Sequence, residues 1–341
     1  MGYGPAEDQI DLFQVEGSDS SLKTRLAMRD GVFYLSNGNA AKVVRFSSFG
    51  DVLSLIYNPD RGPEPSIQRG RAGERTGRSV ASYPFRAPGE IAVDSSNRIY
   101  VEDRMPPERR VYDKDSGTLF DYAILRFGKD GNFEDYLGQE GIGGTPFPYL
   151  VGLYVTEGDD LVIVSVMQDA WLVHWFDAKG GLRGSLKILR SSLPKPVGEV
   201  NLLASLDRII PDSKDRAIIL KVDYSREIVD AQTKSHSGIE YAGSWLYRMD
   251  LLNGVMADRW EIPTIQQAAM NNENGPNRKS ILVPELLGMA SERFFFVTID
   301  DESHTSIVVF NRLTKALQRY GIEIAPEELY FSTMTLSNEG V

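Results

Sequence analysis

The stretch Gly89–Asp103, GEIAVDSSNRIYVED, decides the fold of this chain. Two short apolar segments flank the turn Ser95-Ser96-Asn97 within it, and two more follow in Ala123–Leu137 around the turn Lys129-Asp130-Gly131. Alternating β-branched and aromatic residues bounded by Gly, Asn and Asp predict short strands joined by hairpins. The four strands, A to D in chain order, form the antiparallel meander of one β-propeller blade.

The end of the third strand recurs along the chain, where an aromatic residue, or once a Met, precedes a tight turn. The copies are Val44-Arg45-Phe46, Leu125-Arg126-Phe127, His174-Trp175-Phe176, Tyr247-Arg248-Met249 and Val308-Val309-Phe310. Internal repeats outrank other sequence signals of fold. They predict one all-β domain over residues 1–341, a propeller of four-stranded antiparallel blades. Its blades are expected at about 22–57, 90–138, 149–189, 201–262 and 282–324.

A sixth blade is expected at 329–341, incomplete in this chain, with the N-terminal segment 9–16 as its outer strand. The opening Met1-Gly2-Tyr3-Gly4 looks like an engineered start placed after a removed leader. We therefore expect a periplasmic or cell-surface protein, with a lipid anchor as an option.

Composition excludes several classes of function. The 341 residues contain no cysteine, so disulfides, thiolate catalysis and Cys-ligated metals are ruled out. The net charge of −11 argues against a nucleic-acid binder. No apolar run approaches the roughly 20 residues that a transmembrane helix needs.

Blade two resembles the NHL-repeat family. The resemblance lies in Pro88-Gly89, in Asp94 and Asn97, in Tyr100–Asp103 with its Val-x-Asp ending, and in the Lys129-Asp130-Gly131 hairpin. Blade one departs from the pattern with Asn37 in place of the Asp, and the later blades share only the strand pattern. The whole chain is also similar to spirochaetal propeller lipoproteins of unknown function, which implies a propeller fold and an envelope location.

The long insertions all fall in one class of connection, the B–C and D–A loops, which emerge on one face of a propeller. They are Asn58–Ala87, Arg104–Tyr122, about Tyr224–Ser244, and Pro263–Val283. Connections of this length are usually functional or disordered, so disordered insertions are the other interpretation. The rigid blades would present a functional loop face to a partner.

Charge singles out the first insertion, which holds six arginines against three carboxylates and has a net charge of +3. A basic loop face on an acidic body predicts an anionic partner. The candidate partner-binding residues are Arg69, Arg71, Arg75, Arg78, Arg104, Arg109 and Arg110. The glycine-rich composition of Arg61–Arg78 is also typical of disorder.

Acidic residues near the ends of the B strands give the alternative site. Asp103, Asp169, Asp223 and Asp300 would ring the mouth of the channel, where oxygen ligands hold Ca²⁺ in some propeller hydrolases and lactonases. Aspartates in such places more often cap turns by accepting backbone N–H bonds. His174 is expected to be structural, and His236 with His304 lack the further ligands that a metal site needs.

The sequence thus predicts a non-enzymatic binding propeller of the bacterial cell envelope. Its partner is expected to be a protein, with an anionic glycan or lipid headgroups as options and nucleic acid excluded. The alternative is a calcium-dependent propeller hydrolase or lactonase. No catalytic residue is assigned, and Ca²⁺ is the one cofactor considered, for the alternative only.

Overall fold

The structure, a computed structural model, describes residues 2–12, 22–66, 78–196, 198, 201–212, 214–229, 235–266, 281–300, 303–323 and 333–337. These residues form an all-β chain with two short 3₁₀ helices, Pro107–Arg109 and Arg190–Ser192. The fold is a β-propeller with five blades of four antiparallel strands, and two of the blades carry a short fifth strand on the outer edge. The chain forms two compact units, Met1–Lys187 and Ile188–Val341.

The first unit contains a small N-terminal pair of strands and three blades. The pair is β1 (Gly2–Tyr3) with β2 (Gln9–Ile10). Blade one is β3 (Thr24–Arg29), β4 (Val32–Asn37), β5 (Lys42–Phe46) and β6 (Val52–Tyr57), with β7 (Ser79–Ser82) added parallel to β6. Blade two is β8 (Ile91–Val93), β9 (Ile99–Arg104), β12 (Tyr122–Phe127) and β13 (Phe133–Gly138), with β14 (Gly141–Ile142) on its outer edge. The hairpin of β10 (Val111–Asp113) and β11 (Thr118–Phe120) is inserted between β9 and β12. Blade three is β15 (Tyr149–Val155), β16 (Leu161–Val166), β17 (Ala170–Phe176) and β18 (Leu182–Leu189).

The second unit contains two blades. Blade four is β19 (Leu202–Pro211), β20 (Ala217–Val229), β21 (His236–Asp250) and β22 (Met256–Ile262). The short strands β23 (Ile265–Gln266) and β24 (Ile281–Leu282) pair in the connection that follows. Blade five is β25 (Glu285–Ala290), β26 (Arg293–Ile299), β27 (Thr305–Asn311) and β28 (Leu317–Ile322).

The core of the first unit lies between successive blades. Tyr34, Ile56 and Val101 belong to one buried cluster that joins blades one and two. Phe147 and Phe176 belong to another, which joins blades two and three. Because the inner strands are covered on both faces, they are apolar along nearly their whole length instead of alternating with polar residues.

The tight turns explain the repeat that the sequence displays. The C–D turns of the first four blades place Gly50, Gly131, Gly180 and Gly254 at positive φ, and Lys315 takes this conformation in blade five. Glycine has no Cβ to collide with the backbone there, so it is the preferred residue. The A–B turns use Asp30-Gly31, Asn97, Asp159 and Ser291 in the same way.

Two expectations about the sixth blade are wrong. The described residues form five blades, and residues 333–337 have no strand, although a sixth was expected at 329–341. Gln9–Ile10 pairs with Gly2–Tyr3 instead of completing a sixth blade, because this segment folds back on itself at the end of blade one. The rest of the expected strand, residues 13–16, lies outside the described residues.

The long insertions have more structure than loops. The B–C insertion of blade two contains the β10–β11 hairpin, and that of blade four is a direct extension of β20 and β21. The first D–A connection returns as β7, which pairs with blade one. Residues 67–77, 230–234 and 267–280 of these insertions lie outside the described part of the chain.

Candidate functional site

A cluster of charged side chains is buried where the inner strands of the first unit begin. The Nζ atom of Lys23 donates to both carboxylate oxygens of Glu102, at 2.9 and 2.7 Å, and to the carbonyl of Leu150 at 2.7 Å. Glu90 lies 3.4 Å from the same Nζ and accepts a bond from Arg25. The Lys23 ammonium also lies over the ring of Tyr149. The cluster therefore ties all three blades of this unit together.

Glu102 is the most perturbed carboxylate of this cluster. Its side chain is 1% exposed, and burial raises its pKa to about 7, while Lys23 acts in the opposite direction. The carboxylate also accepts the backbone N–H of Glu90. A Cβ on Gly89 would lie only 2.4 Å from a carboxylate oxygen of Glu102, so this pair requires glycine in the Pro88-Gly89 motif. The Lys23–Glu102 pair therefore holds blade two to the residue that enters blade one.

Asp103, the first acid of the predicted channel mouth, caps the chain that enters blade two. Its carboxylate accepts the backbone N–H groups of Arg86 and Ala87. Burial raises its pKa to about 6, against the effect of these bonds. Asn37 has the equivalent place in blade one, where its side chain bonds Thr24 and the backbone of Asp11. The Asp of the Val-x-Asp ending thus has a structural role, and Asn37 is the equivalent residue in blade one.

The other three acids lie in different surroundings. Asp169 is exposed and lies 3.7 Å from Lys187. Asp300 closes a turn by accepting the backbone N–H of His304. Asp223 bonds Lys221 and accepts the hydroxyl of Ser244. In the part of the chain that the structure describes, no three His, Asp or Glu side chains are grouped as metal ligands.

The Asp223 contacts belong to a second buried network, in blade four. Lys221 is 0% exposed and lies 3.2 Å from Asp207 and 2.7 Å from Asp223. Asp207 in turn accepts the backbone N–H of Leu286 in blade five. Ser244 links Asp223 to the Tyr241 hydroxyl, whose pKa burial raises to about 12. This network fixes the two blades of the second unit.

The candidate arginines divide into three groups. Arg69, Arg71 and Arg75 lie outside the described residues, and Arg78, which follows them, is exposed. Arg104 is engaged by Asp121 at 2.6 Å. Arg109 lies over the ring of Tyr136, and Arg110 donates to the carbonyl of Met105. Arg104 ends β9, and Arg109 and Arg110 directly precede β10 of the inserted hairpin.

That hairpin, β10–β11, presents apolar side chains to solvent. Val111, Tyr112 and Leu119 are 45%, 60% and 40% exposed. Tyr112 and Leu119 are cross-strand partners, so their side chains share one face. We call Tyr112 and Leu119, with Arg109 and Arg110 just before the hairpin, the hairpin surface. An apolar centre beside arginines is the composition that protein interfaces favour.

The sequence indicated these arginines but not the buried charges Lys23, Glu102 and Lys221. One signal was available: Glu102 and Lys221 each follow an apolar run of three residues, 99–101 and 218–220, within a strand. A charged residue in such a strand requires a partner of opposite charge. His174 is buried against the rings of Phe147 and Phe176, and burial lowers its pKa to about 4. Its Nδ1 has no hydrogen-bond partner among the described residues, so the expectation of a satisfied structural histidine is not confirmed.

Comparisons with known proteins add likenesses of fold only. No protein-family profile matches the chain, and neither does any curated protein. Among solved structures, a polysaccharide lyase of family PL25, an ulvan lyase, has 11% identity and a TM-score of 0.40, covering 89% of this chain and 71% of its own. A putative 6-phosphogluconolactonase from Bacteroides fragilis has 11% identity, a TM-score of 0.37, and coverages of 96% and 88%. AztD from Citrobacter koseri has 10% identity, a TM-score of 0.34, and coverages of 86% and 69%. Overlaps this loose carry no argument about function.

Proposed function

We propose that this chain is a non-enzymatic binding propeller of the bacterial cell envelope, with NHL-like blades, that holds a protein partner. The contact is assigned to the hairpin surface, with the arginine-rich residues 69–78 as an electrostatic contribution. The observation that carries the proposal is the exposed pair Tyr112 and Leu119 on a structured hairpin. Exposed aromatic and aliphatic side chains on a rigid support are inexpensive to bury against a partner.

The arginines beside this pair favour an acidic partner surface. Arg109 is held over Tyr136 by a cation–π contact, which restrains its side chain without neutralising its charge. Arginine carries its donors in a planar fork suited to carboxylates. Anionic glycans and lipid headgroups share this charge, but they would not need the apolar Tyr112–Leu119 pair. A protein therefore fits the whole surface best.

The envelope location rests on the sequence resemblance and the cysteine-free composition. None of the helices in the described ranges is long and apolar enough to cross a membrane. The calcium-dependent hydrolase or lactonase remains the second candidate. Three of its four acids, Asp103, Asp223 and Asp300, already accept hydrogen bonds from protein groups, so the binding function is preferred.

The proposal is tested by capture from an envelope extract with immobilised protein. One variant carries Tyr112→Ser and Leu119→Ser, a second carries Arg109→Ser and Arg110→Ser, and a third replaces Arg69, Arg71, Arg75 and Arg78 with Ser. All three should retain less of a single enriched protein than the wild type. The arginine variants should also lose part of the salt sensitivity of capture, because screening acts on charged contacts.

The matched control is Arg293→Ser with Arg319→Ser, which removes two exposed arginines from blade five. It should capture as the wild type does. Equal capture by the control and all three variants would refute the assignment of the contact surface. Capture lost only on removal of the arginines, with vesicles of anionic lipid competing, would identify a lipid surface instead.

A further inference from the structure

One edge of the extended hairpin in blade four is open. Strand β21 covers His236–Asp250, but β22 pairs with it only from Ser244 onward. Among the described residues, no backbone group bonds the β22 side of β21 between His236 and Gly243. We call this side of residues 236–243 the β21 edge. Alternate residues of a strand direct their N–H and C=O groups toward the same edge, so the β21 edge offers donors and acceptors to a further strand.

The sequence of the β21 edge lacks the residues that usually prevent strand addition. Natural edge strands are often blocked by Lys, by Pro or by charged side chains that point inward. Residues 236–243, HSGIEYAG, contain no Lys and no Pro, and Glu240 is their one carboxylate. Glu240 lies opposite Arg226 of β20, so its charge faces an opposite charge within the same hairpin. The side chains of this edge therefore do not repel a further strand.

An exposed isoleucine lies in the middle of this edge. Ile239 is 67% exposed, and its cross-strand partner is Glu227 of β20. Val229, which is 48% exposed, lies two residues beyond Glu227 and therefore on the same face. The ladder between β20 and β21 is regular from Gly238 to Tyr241, with a bulge on either side. A second strand on this regular stretch would cover apolar surface that is now in contact with water.

We propose that the β21 edge pairs with the same edge of a second copy of the chain, so that two copies form a two-fold dimer. A two-fold axis between identical antiparallel strands passes through a residue that lies opposite itself. An axis at Glu240 would bring two carboxylates together, and an axis at Gly238 would leave Ile239 opposite Ser237. An axis at Ile239 places the two isoleucines side by side and Glu240 opposite Gly238. In this register the edge is complementary to itself in charge and in apolar surface.

The two extended hairpins would join edge to edge into one sheet across the axis. A two-stranded hairpin is marginally stable in water, whereas three or more strands with an apolar face are stable. The interface is small, so association is weak and its Kd lies in the micromolar range. The β21 edge shares no residue with the hairpin surface, so the dimer is independent of the proposed partner contact.

Sedimentation velocity of the full chain, over concentrations from about 1 to about 100 μM, tests the dimer. The wild type should shift from monomer to dimer as its concentration rises. Ile239→Lys should weaken association by at least about tenfold, because the axis would then bring two lysine charges together. The matched control is Leu252→Lys, which replaces a 70% exposed side chain in a turn of the same blade and adds the same charge. It should dimerise as the wild type does.

The register is tested by cross-linking, because the chain contains no cysteine. Residues that lie opposite one another in antiparallel strands have Cα atoms about 4.5–5.5 Å apart, a distance that a disulfide spans. Ile239→Cys should therefore form a disulfide-linked dimer on mild oxidation, and Leu252→Cys should stay unlinked. The proposal is overturned if the wild type is monomeric throughout, if Ile239→Lys dimerises as the wild type does, or if Leu252→Cys links as readily as Ile239→Cys.

Discussion

Single buried charges decide how the blades of each unit are joined. Glu102 and Lys221 occupy the same register, three residues after Ile99 and Ile218, which lie opposite Phe127 and Met249 of the repeat. One site holds an acid and the other a base: Glu102 is paired with Lys23, which precedes blade one, and Lys221 with Asp207 of the adjacent strand β19. Removing one partner of such a pair leaves an uncompensated buried charge, so neither can change alone.

Glu102 gives a prediction about pH. Its folded-state pKa of about 7 lies above the ordinary 4.5. As pH falls, the carboxylate is therefore protonated at a higher pH in the folded protein than in the unfolded chain. The free energy of unfolding of the wild type, minus that of Glu102→Gln, should therefore increase between about pH 8 and about pH 5, by at most about 3 kcal/mol. Urea denaturation at both pH values measures this difference.

Taking the difference cancels the parallel titration of Asp103, which both proteins retain. Glu157→Gln, an exposed carboxylate of the same unit, is the control and should show no such pH dependence. A difference that decreases on acidification would mean that the Lys23 ion pair outweighs the burial of the carboxylate.

At the scale of elements, hairpins and their turns determine the fold and form the proposed contact. The β10–β11 hairpin and the extension of β20 and β21 occur at the same B–C position of two blades. In both, exposed apolar side chains stand on paired strands, such as Tyr112 and Ile239, which is 67% exposed. Strand pairing supplies the backbone order that a loop of this length would otherwise lack.

The C–D turns give a prediction with opposite signs for two blades. Gly180 has φ +88°, and a Cβ there would lie 2.8 Å from Leu137, so Gly180→Ala should lower the free energy of unfolding by about 1–3 kcal/mol. Lys315 has φ +57°, and Lys315→Gly should raise it by up to about 1 kcal/mol. Urea denaturation again measures both.

The control for the turn substitutions is Gly158→Ala. Gly158 does not have positive φ, and the nearest atom to an added Cβ is 3.9 Å away. This variant should be as stable as the wild type or slightly more stable. Equal losses in Gly158→Ala and Gly180→Ala would show that the loss of glycine, and not the turn conformation, sets the effect.

At the scale of the whole molecule, the charge of this acidic chain is distributed unevenly. Net charge −11 is distributed so that the four insertions sum to about +3 and the remainder to about −14. This asymmetry favours an anionic partner at the insertions and leaves many carboxylates elsewhere. We therefore expect weak, non-specific attraction of cations to the acidic surface. A calcium site would bind its ion with higher affinity.

Calcium titration of the full chain distinguishes these cases. Ca²⁺ requires six to eight oxygen ligands, and Asp103, Asp223 and Asp300 are already bonded to protein donors. The melting temperature should therefore be unchanged at micromolar calcium. A rise of several degrees there would support the hydrolase or lactonase. Magnesium at the same ionic strength is the control for non-specific attraction.

Much of the fold could be predicted from the sequence because its signals are local. The aromatic end of strand C and the glycine of the following turn lie within five residues of one another, and the structure confirms five blades at those repeats. The sixth blade was predicted from a strand-like segment and the turn residues Asn338-Glu339-Gly340, without a copy of the aromatic and glycine pair of strand C. Those turn residues lie outside the described residues, and residues 333–337 form no strand.

The candidate site was less predictable because its contacts are long-range. Arg109 and Arg110 could be selected by charge, but the hairpin that presents Tyr112 beside them depends on pairing across β10 and β11. The alternative site required the acids to converge, but Asp103 accepts the backbone N–H of Ala87 and Asp300 that of His304, which agrees with the capping role. Local capping satisfies a carboxylate at less entropic cost than assembling distant ligands.

The sequence by itself determined the blades, their turns and the acidic body, since each depends on residues adjacent along the chain. Only the tertiary structure decided which charges are buried and which segments meet. Lys23 and Glu102 are 79 residues apart in the sequence, and Glu7 and Ser66 are 59 apart. The spacing of residues along the chain does not predict such pairs, because only the packing of the blades brings them into contact.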